Sequence, residues 1–218
     1  MQEIYYHLVH SDNQSTSSSI IKEIERFCDM GLGLMAYFYC DFRDPKKQEA
    51  SGLLSSLIAQ LAAKSDVCYN ILSALYSECD GGSRQPGDHA LLGCLEKMLK
   101  TADGLPTTYI IIDGLDECPH NSGVVPPRER VLQLVEDLVD LQCENLRICA
   151  ASRPEADIKA SLEPLASHTV SLHDEDGQKR DIDDYVRFVV HSDRHMRRWR
   201  VEDKEMVIDS LSQRGDGM

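Results

Sequence analysis

The chain has 218 residues, of which 42% are hydrophobic and 28% are charged, as in an ordinary soluble globular protein. This length suits one sizeable domain with a buried core. The formal net charge of −14 and the pI near 4.9 disfavour general affinity for nucleic acid or anionic membrane, because the mean field repels phosphate. With no membrane-length apolar run and no signal pattern, we expect no nucleic-acid partner, no membrane partner and a cytoplasmic location.

The first half of the chain alternates β-prone and helical segments. Residues 4–9 form a short β-prone run, and 20–27 have helical spacing after a serine-rich stretch. Aromatic residues dominate the second strand, which a glycine precedes and Asp44-Pro45 follows. The pattern in this half predicts strands at 4–9 and 34–42, and helices at 20–27, 48–64, 67–76 and 90–100.

The second half continues this alternation. It predicts strands at 109–112, 146–152 and 168–172, and helices at 131–141, 178–190 and 201–211. Strands that alternate with helices indicate a parallel sheet covered on both faces. We therefore expect an α/β fold with three layers.

The stretch Tyr109–Cys118, YIIIDGLDEC, carries the strongest functional signal. A buried parallel strand has such an apolar run, and acids at its carboxyl end lie where open α/β sheets bind ligands. Asp113 is the candidate magnesium residue, and Asp116 or Glu117 the candidate that orients a nucleophilic water. The structural alternative is a buried strand that happens to end in an acidic turn; the full pattern favours a Walker B segment.

Arg153 follows the predicted strand 146–152 within the sequence ASRPE. An arginine at this strand end can reach a γ-phosphate, because its planar fork suits phosphate oxygens. The alternative is an ion pair with a neighbouring acid. The order of the two motifs favours the sensor role.

The phosphate loop that should open the first helix is not visible. Residues 10–16 read HSDNQST, with no glycine to curl the backbone around phosphate and no lysine to neutralise its oxygens. Asp12 would repel a triphosphate, and we prefer a helix-capping role for Ser15 or Thr16. Nucleotide affinity should therefore be low or absent.

Two further groups of residues favour structural roles. The basic cluster at 194–200, RHMRRWR, favours pairing with the chain's own carboxylates or a partner domain over an anion contact. His191 and His195 stand four apart, but among arginines that would repel a cation. The eight cysteines include no C-x-x-C pair and indicate reduced thiols rather than a disulfide framework.

The ordered set YFYCDFRDPKKQ, LLSSLIAQL, YIIIDGLDEC, LRICAASRPE and DIDDYV resembles the NACHT-type NTPases of the STAND class. It is most similar to the nephrocystin-3-like N-terminal domain of filamentous-fungal proteins. The resemblance implies a P-loop sheet whose sensor strand lies between the Walker A and Walker B strands. It also implies binding and slow hydrolysis of ATP or GTP with Mg²⁺, in a switch that governs oligomerisation and signalling.

By the resemblance, Asp113 takes the magnesium position, Asp116 and Glu117 the acidic extension, and Arg153 the sensor position. Ser15 and Thr16 match the tail of the phosphate-loop motif, while Gln14 or Asn13 stands in the lysine place. Both ends look clipped relative to the family. We expect a divergent segment at 1–14, an NTPase core at 15–175, and a helical extension at 176–218 that begins a truncated subdomain.

Three hypotheses follow for the function. The chain is the NTPase core of a signalling switch, a catalytically dead interaction or scaffold module of the same fold, or a fragment without independent function. Its cofactors are Mg²⁺ with ATP or GTP in the first case and none in the others. Its partners are a weakly bound or lost nucleotide and other protein domains, such as the C-terminal repeats of relatives.

Overall fold

The computed structural model describes residues 3–8, 14–101, 107–121, 123–171, 186–192, 196 and 199–214. Regular elements alternate along these ranges, as the sequence predicts. The strands are β1 (Glu3–Leu8), β2 (Gly33–Tyr39), β3 (Thr107–Asp113), β4 (Leu146–Ser152) and β5 (His168–Ser171). The helices are α1 (Gln14–Asp29), α2 (Ala50–Lys64), α3 (Asp66–Glu78), α4 (Asp88–Lys100), α5 (Pro127–Asp140), α6 (Ala156–Leu162) and α7 (Val201–Arg214).

The strands form one sheet in the order β2-β3-β4-β1-β5. β2 pairs with β3, β3 with β4 and β4 with β1, all in parallel. The predicted α/β fold is confirmed. The strand that precedes Arg153 lies between β1 and β3, where the resemblance places the sensor strand.

Burial on both faces explains the uninterrupted apolar run of β3. Ile110, Ile111 and Ile112 are exposed by 2% or less. Ile111 packs with Met35 and Ile21 of α1 on one face of the sheet. Ile110 and Ile112 join a larger cluster on the other face, with apolar residues of α2, α4 and α5. The sheet is therefore the middle of three layers.

The outer edge of β2 is covered by side chains of α2. The Gln60 amide donates to the Tyr37 carbonyl at 2.7 Å and accepts from the Tyr37 N–H at 3.1 Å. Lys64 Nζ donates to the Met35 carbonyl at 2.8 Å. These contacts occupy backbone groups that a terminal strand otherwise presents to another chain.

Several bounds shift by a few residues, such as the start of α5 at Pro127 rather than 131 and the end of β2 at Tyr39 rather than 42, and two helices differ more. α6 was not predicted, because its seven residues offer little helical periodicity. α1 begins at Gln14 rather than at residue 20. The prediction began too late because the serine-rich first turns of this helix carry no apolar stripe. Ser15 and Thr16 therefore lie inside the first turn, so the predicted capping role is wrong: the cap position falls outside the described residues.

By backbone contacts the chain divides into residues 1–8 with 13–170, and residues 9–12 with 171–218. Within the second unit, Glu205 of α7 pairs with Arg187 at 3.1 Å and lies 3.7 Å from His191 Nε2. Of the predicted helix 178–190, only residues 186–190 are described; they are helical, and the helical backbone continues to 192. Most of the basic cluster 194–200, including His195, lies outside the described residues. Within the described ranges, every helix is too short or too polar to cross a membrane.

Candidate functional site

Asp113 is the last residue of β3 and lies level with the ends of both neighbouring strands. The register sets it opposite Tyr39 of β2 and Ala151 of β4. On the far side of β4, Ser152 is level with Leu8, the last residue of β1. Two strand spacings of about 4.8 Å therefore separate the ends of β3 and β1. The carboxyl ends of the strands form one shared edge, where open α/β sheets bind ligands.

The chain leaves β3 through a turn that only glycine fits well. Gly114 has a left-handed backbone with φ +74°, and its N–H donates to the Ala151 carbonyl at 3.0 Å. A Cβ built at this position would lie 3.3 Å from the Cys40 carbonyl oxygen. A 3-10 turn follows at Leu115–Glu117 and anchors itself through the fully buried Leu115. The glycine therefore turns the two later acids back over the end of the sheet.

Glu117 is held by the segment that follows β2. Its carboxylate oxygen Oε2 accepts a hydrogen bond from the Phe42 N–H at 3.0 Å. The Phe42 ring is exposed, and the Arg43 guanidinium lies 5.8 Å from its centroid. Arg43 also donates from its backbone and side chain to Asp41, which lowers the pKa of that carboxyl to about 2. The chain after β2 is thus pre-ordered to hold Glu117.

Asp116 points to the end of β4 and contacts Arg153. Its Oδ1 accepts from the Arg153 N–H at 3.0 Å, and its Oδ2 lies 3.5 Å from the Arg153 Nε. The Asp116 side chain is 12% exposed, whereas that of Arg153 is 52% exposed. The structure thus brings the candidate sensor arginine and a candidate catalytic acid together as an ion pair, the contact anticipated by the alternative reading of Arg153.

Arg128 is a structural residue that the sequence analysis missed. It lies in the first turn of α5 and is 5% exposed. Its guanidinium donates to the carbonyls of Asp116 at 2.6 Å and Cys118 at 2.9 Å, and pairs with Asp157 at 3.2 Å. These contacts hold the main chain of the acidic turn in place. Nothing in the sequence PPRER distinguishes it from Arg130, which is exposed and 4.0 Å from Asp88.

The carboxylates can be tested against the expected cofactors. Among the described residues, no group of three or more His, Cys, Asp or Glu side chains could hold a metal ion. The single carboxylate of Asp113 is nevertheless enough for Mg²⁺, which keeps several waters and takes one or two protein carboxylates together with phosphate oxygens. The residues fit a triphosphate less well than they fit Mg²⁺, because residues 9–14 contain no glycine or lysine. The backbone places Ser15 and Thr16 in the first turn of α1, and their side chains lie outside the described ones.

Several solved structures share a distant likeness with the chain. Aeropyrum pernix ORC1 in complex with DNA is 14% identical, with a TM-score of 0.44 over 78% of this chain and 38% of that one. Aeropyrum pernix ORC2 with ADPNP and ADP is 11% identical, with a TM-score of 0.47 over 87% of this chain and 45% of that one. Drosophila ORC bound to GC-rich DNA and Cdc6 is 10% identical, with a TM-score of 0.43 over 95% of this chain and 70% of that one. This chain spans less than half the length of the two archaeal chains.

Among curated proteins, no sequence matches the chain at a significant level. The profile of the family described as Nephrocystin 3, N-terminal matches residues 15–153. This stretch is more than half of the chain, runs from the first turn of α1 to the end of β4, and includes Asp113, Asp116, Glu117 and Arg153. The chain belongs to the nephrocystin 3, N-terminal family.

Proposed function

We propose that the chain is a NACHT/STAND-type nucleotide-binding signalling domain, an ATP or GTP switch, that has lost efficient nucleotide binding and hydrolysis. The proposal takes residues 15–175 as the core and 176–218 as a helical extension. One observation carries it: the acidic turn after β3 is intact and braced, whereas the segment between β1 and α1 lacks the residues of a phosphate loop. The residues that would hold the metal are thus present, whereas those that would hold the phosphates are missing.

The metal side of the site supports the ancestral activity. Asp113 ends a strand whose three preceding residues are almost fully buried, so its position is fixed by the sheet. A carboxylate at this edge would hold hydrated Mg²⁺, which when bound supplies charge neutralisation for phosphate oxygens. Ser15 and Thr16, in the first turn of α1, would add residual phosphate contacts.

The two water-orienting candidates already have partners. Asp116 accepts from the Arg153 N–H, and Glu117 accepts from the Phe42 N–H, each at 3.0 Å. These hydrogen bonds fix the direction of each carboxylate, whose remaining oxygen lone pairs can still accept from a water molecule. Arg153 would have to leave Asp116 to sense a γ-phosphate. This ion pair competes with phosphate sensing and supports slow or absent hydrolysis.

The phosphate side supports weak binding. A lysine contact to phosphate is a charge-assisted hydrogen bond worth about 1.5–3 kcal/mol. The loss of two such bonds weakens binding roughly 100-fold or more, because about 1.4 kcal/mol is a factor of ten. Micromolar affinity would then approach millimolar.

The alternative function is a protein-interaction or scaffold module of the same fold. Phe42 favours it, because this aromatic ring is 69% exposed at the mouth of the site. Exposed aromatic side chains are enriched where proteins meet. Other protein domains, including the repeats of longer relatives, would be the partners, and oligomerisation would follow from the same surface.

Calorimetric titration of the whole chain with Mg·ATP and Mg·GTP tests the proposal. We expect dissociation constants near the millimolar range and no phosphate release. Where binding is measurable, Asp113→Ala should abolish its magnesium dependence, while Asp140→Ala, an exposed acid on α5, should leave it unchanged. Micromolar binding by the native chain would contradict the loss, and no binding at any concentration would favour the scaffold function.

A further inference from the structure

An open cleft lies between α2, α3 and the loop that leads into α4. Its volume is about 250 Å³, and most of the residues that line it are apolar. The buried side chains of Ile58, Cys79 and Leu91 form its floor. All of its lining residues fall within 55–91, so the cleft shares no residue with the candidate nucleotide site. The proposed nucleotide chemistry therefore leaves the cleft without a role.

The cleft leaves the apolar side chains of α3 only partly covered. Within α3, which is described throughout, Cys68 is the only buried residue, whereas α2 has seven. Leu72 and Leu75 pack against the core but are only partly buried, and both line the cleft. The Tyr76 ring, also in the lining, is 58% exposed. A ligand that covers this surface is favoured, because it removes apolar area from water.

The loop beside the cleft has a constrained backbone. Asp80, Gly81 and Gly82 are all left-handed, with φ of +54°, +62° and +86°. The N–H groups of Gly82 and Arg84 both donate to the Cys79 carbonyl, at 3.0 and 3.2 Å. A left-handed aspartate costs free energy, and residues held in this way cluster at ligand clamps and other functional sites. The loop therefore fixes the position of Arg84 beside the cleft.

Arg84 adds a positive charge to the lining of the cleft. Its Nη2 donates to the Glu78 carbonyl at 3.1 Å, and no described carboxylate lies within ion-pair distance of its guanidinium. A guanidinium has several N–H donors, so donors remain for a ligand. A carboxylate suits them, because its two oxygens match the planar fork. The side chains of Ser55, Tyr76 and Gln85 add neutral polar groups to the same lining.

We propose that this cleft binds a small amphipathic carboxylate, with its apolar tail against Leu72, Leu75 and Leu91 and its head at Arg84. The cleft is larger than the roughly 150 Å³ apolar cavity that accepts benzene, and smaller than the about 300 Å³ at which drug-sized sites begin. Medium-chain fatty acids such as octanoate combine a tail of this size with an anionic head. The formal net charge of −14 repels anions at long range. Recognition of the head therefore depends on Arg84 at short range.

An NMR titration of the whole native chain, labelled at its leucine methyl groups, tests the proposal without any nucleotide. Octanoate is the probe, and octylammonium is its match with the same tail and a cationic head. We expect saturable shift changes at Leu72, Leu75 and Leu91 with octanoate, and weaker binding of octylammonium although the net charge of the chain attracts a cation. No saturable change at these methyl groups below the micelle concentration of octanoate would overturn the proposal. Equal or tighter binding of octylammonium would overturn the choice of a carboxylate.

The length of the tail separates a bounded site from general adsorption. From butanoate to octanoate, the affinity should rise roughly fourfold for each methylene that the cleft buries. It should then level off toward dodecanoate, whose additional methylenes extend beyond the cleft. An affinity that keeps rising by the same factor to dodecanoate would contradict a site of this volume.

Matched variants separate the two ends of the ligand. Arg84→Gln should weaken octanoate binding roughly tenfold, the value of one charge-assisted hydrogen bond, whereas Arg84→Lys should retain most of the preference for the anion. Ala59→Phe places a ring in the cleft from an exposed position of α2 and should abolish binding. Ala63→Phe, an exposed position one turn further along α2 and outside the lining, should leave binding unchanged. Undiminished binding by Ala59→Phe, or equal losses in both alanine variants, would contradict the site.

Discussion

At the scale of single residues, Arg128 shows how the acidic turn keeps its shape. Its guanidinium is buried and serves two main-chain carbonyls and one carboxylate. A planar fork with several donors can satisfy such divergent acceptors, and a lysine cannot. The carboxylates of Asp116 and Glu117 are therefore positioned by a residue that has no direct part in the proposed chemistry.

Replacing Arg128 tests this account of the turn. Arg128→Met should lower the free energy of unfolding by about 3 kcal/mol, because it leaves partly buried acceptors without donors. Urea denaturation followed by circular dichroism measures this loss. Asp157→Asn, which removes only the half-exposed partner, should cost less than about 1 kcal/mol. Equal losses for both variants would show that the ion pair, rather than the carbonyl contacts, carries the stabilisation.

The residue scale also marks the limit of sequence reasoning about the site. Asp113, Asp116 and Glu117 could be assigned because acids after a buried strand form a local pattern. Arg128 could not, because its role depends on the approach of α5 to the turn. An ion pair of Arg153 with a neighbouring acid was one of its two predicted roles, and only the register of β3 against β4 places Asp116 beside it.

At the scale of elements, α2 does more than cover the sheet. Its apolar residues fill the core, while Gln60 and Lys64 occupy the backbone groups of β2 at Tyr37 and Met35. The apolar stripe of α2 was predictable from its periodicity. The edge contacts were not, because a glutamine at the border of that stripe reads as an ordinary surface residue.

Gln60→Ala should expose the edge of β2. We expect self-association that grows with concentration, since the freed Tyr37 groups can pair with another chain, and a loss of about 1–2 kcal/mol for two hydrogen bonds. Sedimentation velocity over a concentration series measures the association. Gln133→Ala, on the exposed face of α5, is the control and should remain unaffected. An unchanged sedimentation profile for Gln60→Ala would show that the edge is protected by other means.

At the scale of the whole molecule, fold and function separate. The alternation of strands and helices was sufficient to predict the parallel sheet and its two covered faces. The helix starts were less predictable where no apolar stripe exists, as in the serine-rich first turns of α1. The residues just before these turns govern the proposed function, because they lack the glycine and lysine of a phosphate loop.

In the proposed function the metal side of the site persists and the phosphate side does not. We therefore expect Asn13→Gly combined with Gln14→Lys, which restores a glycine and a lysine before Ser15, to strengthen Mg·ATP binding. The gain should be roughly tenfold or more, the value of one charge-assisted hydrogen bond. Adding Asp113→Ala to this double variant should remove the magnesium-dependent part of the gain.

Calorimetric titration of these three proteins with Mg·ATP is the most direct measurement. We expect weak binding by the native chain, clearly tighter binding by the double variant, and loss of the magnesium-dependent part of that gain with Asp113→Ala. Equal affinity of the native chain and the double variant, or a gain that survives Asp113→Ala with its magnesium dependence intact, would contradict this expectation.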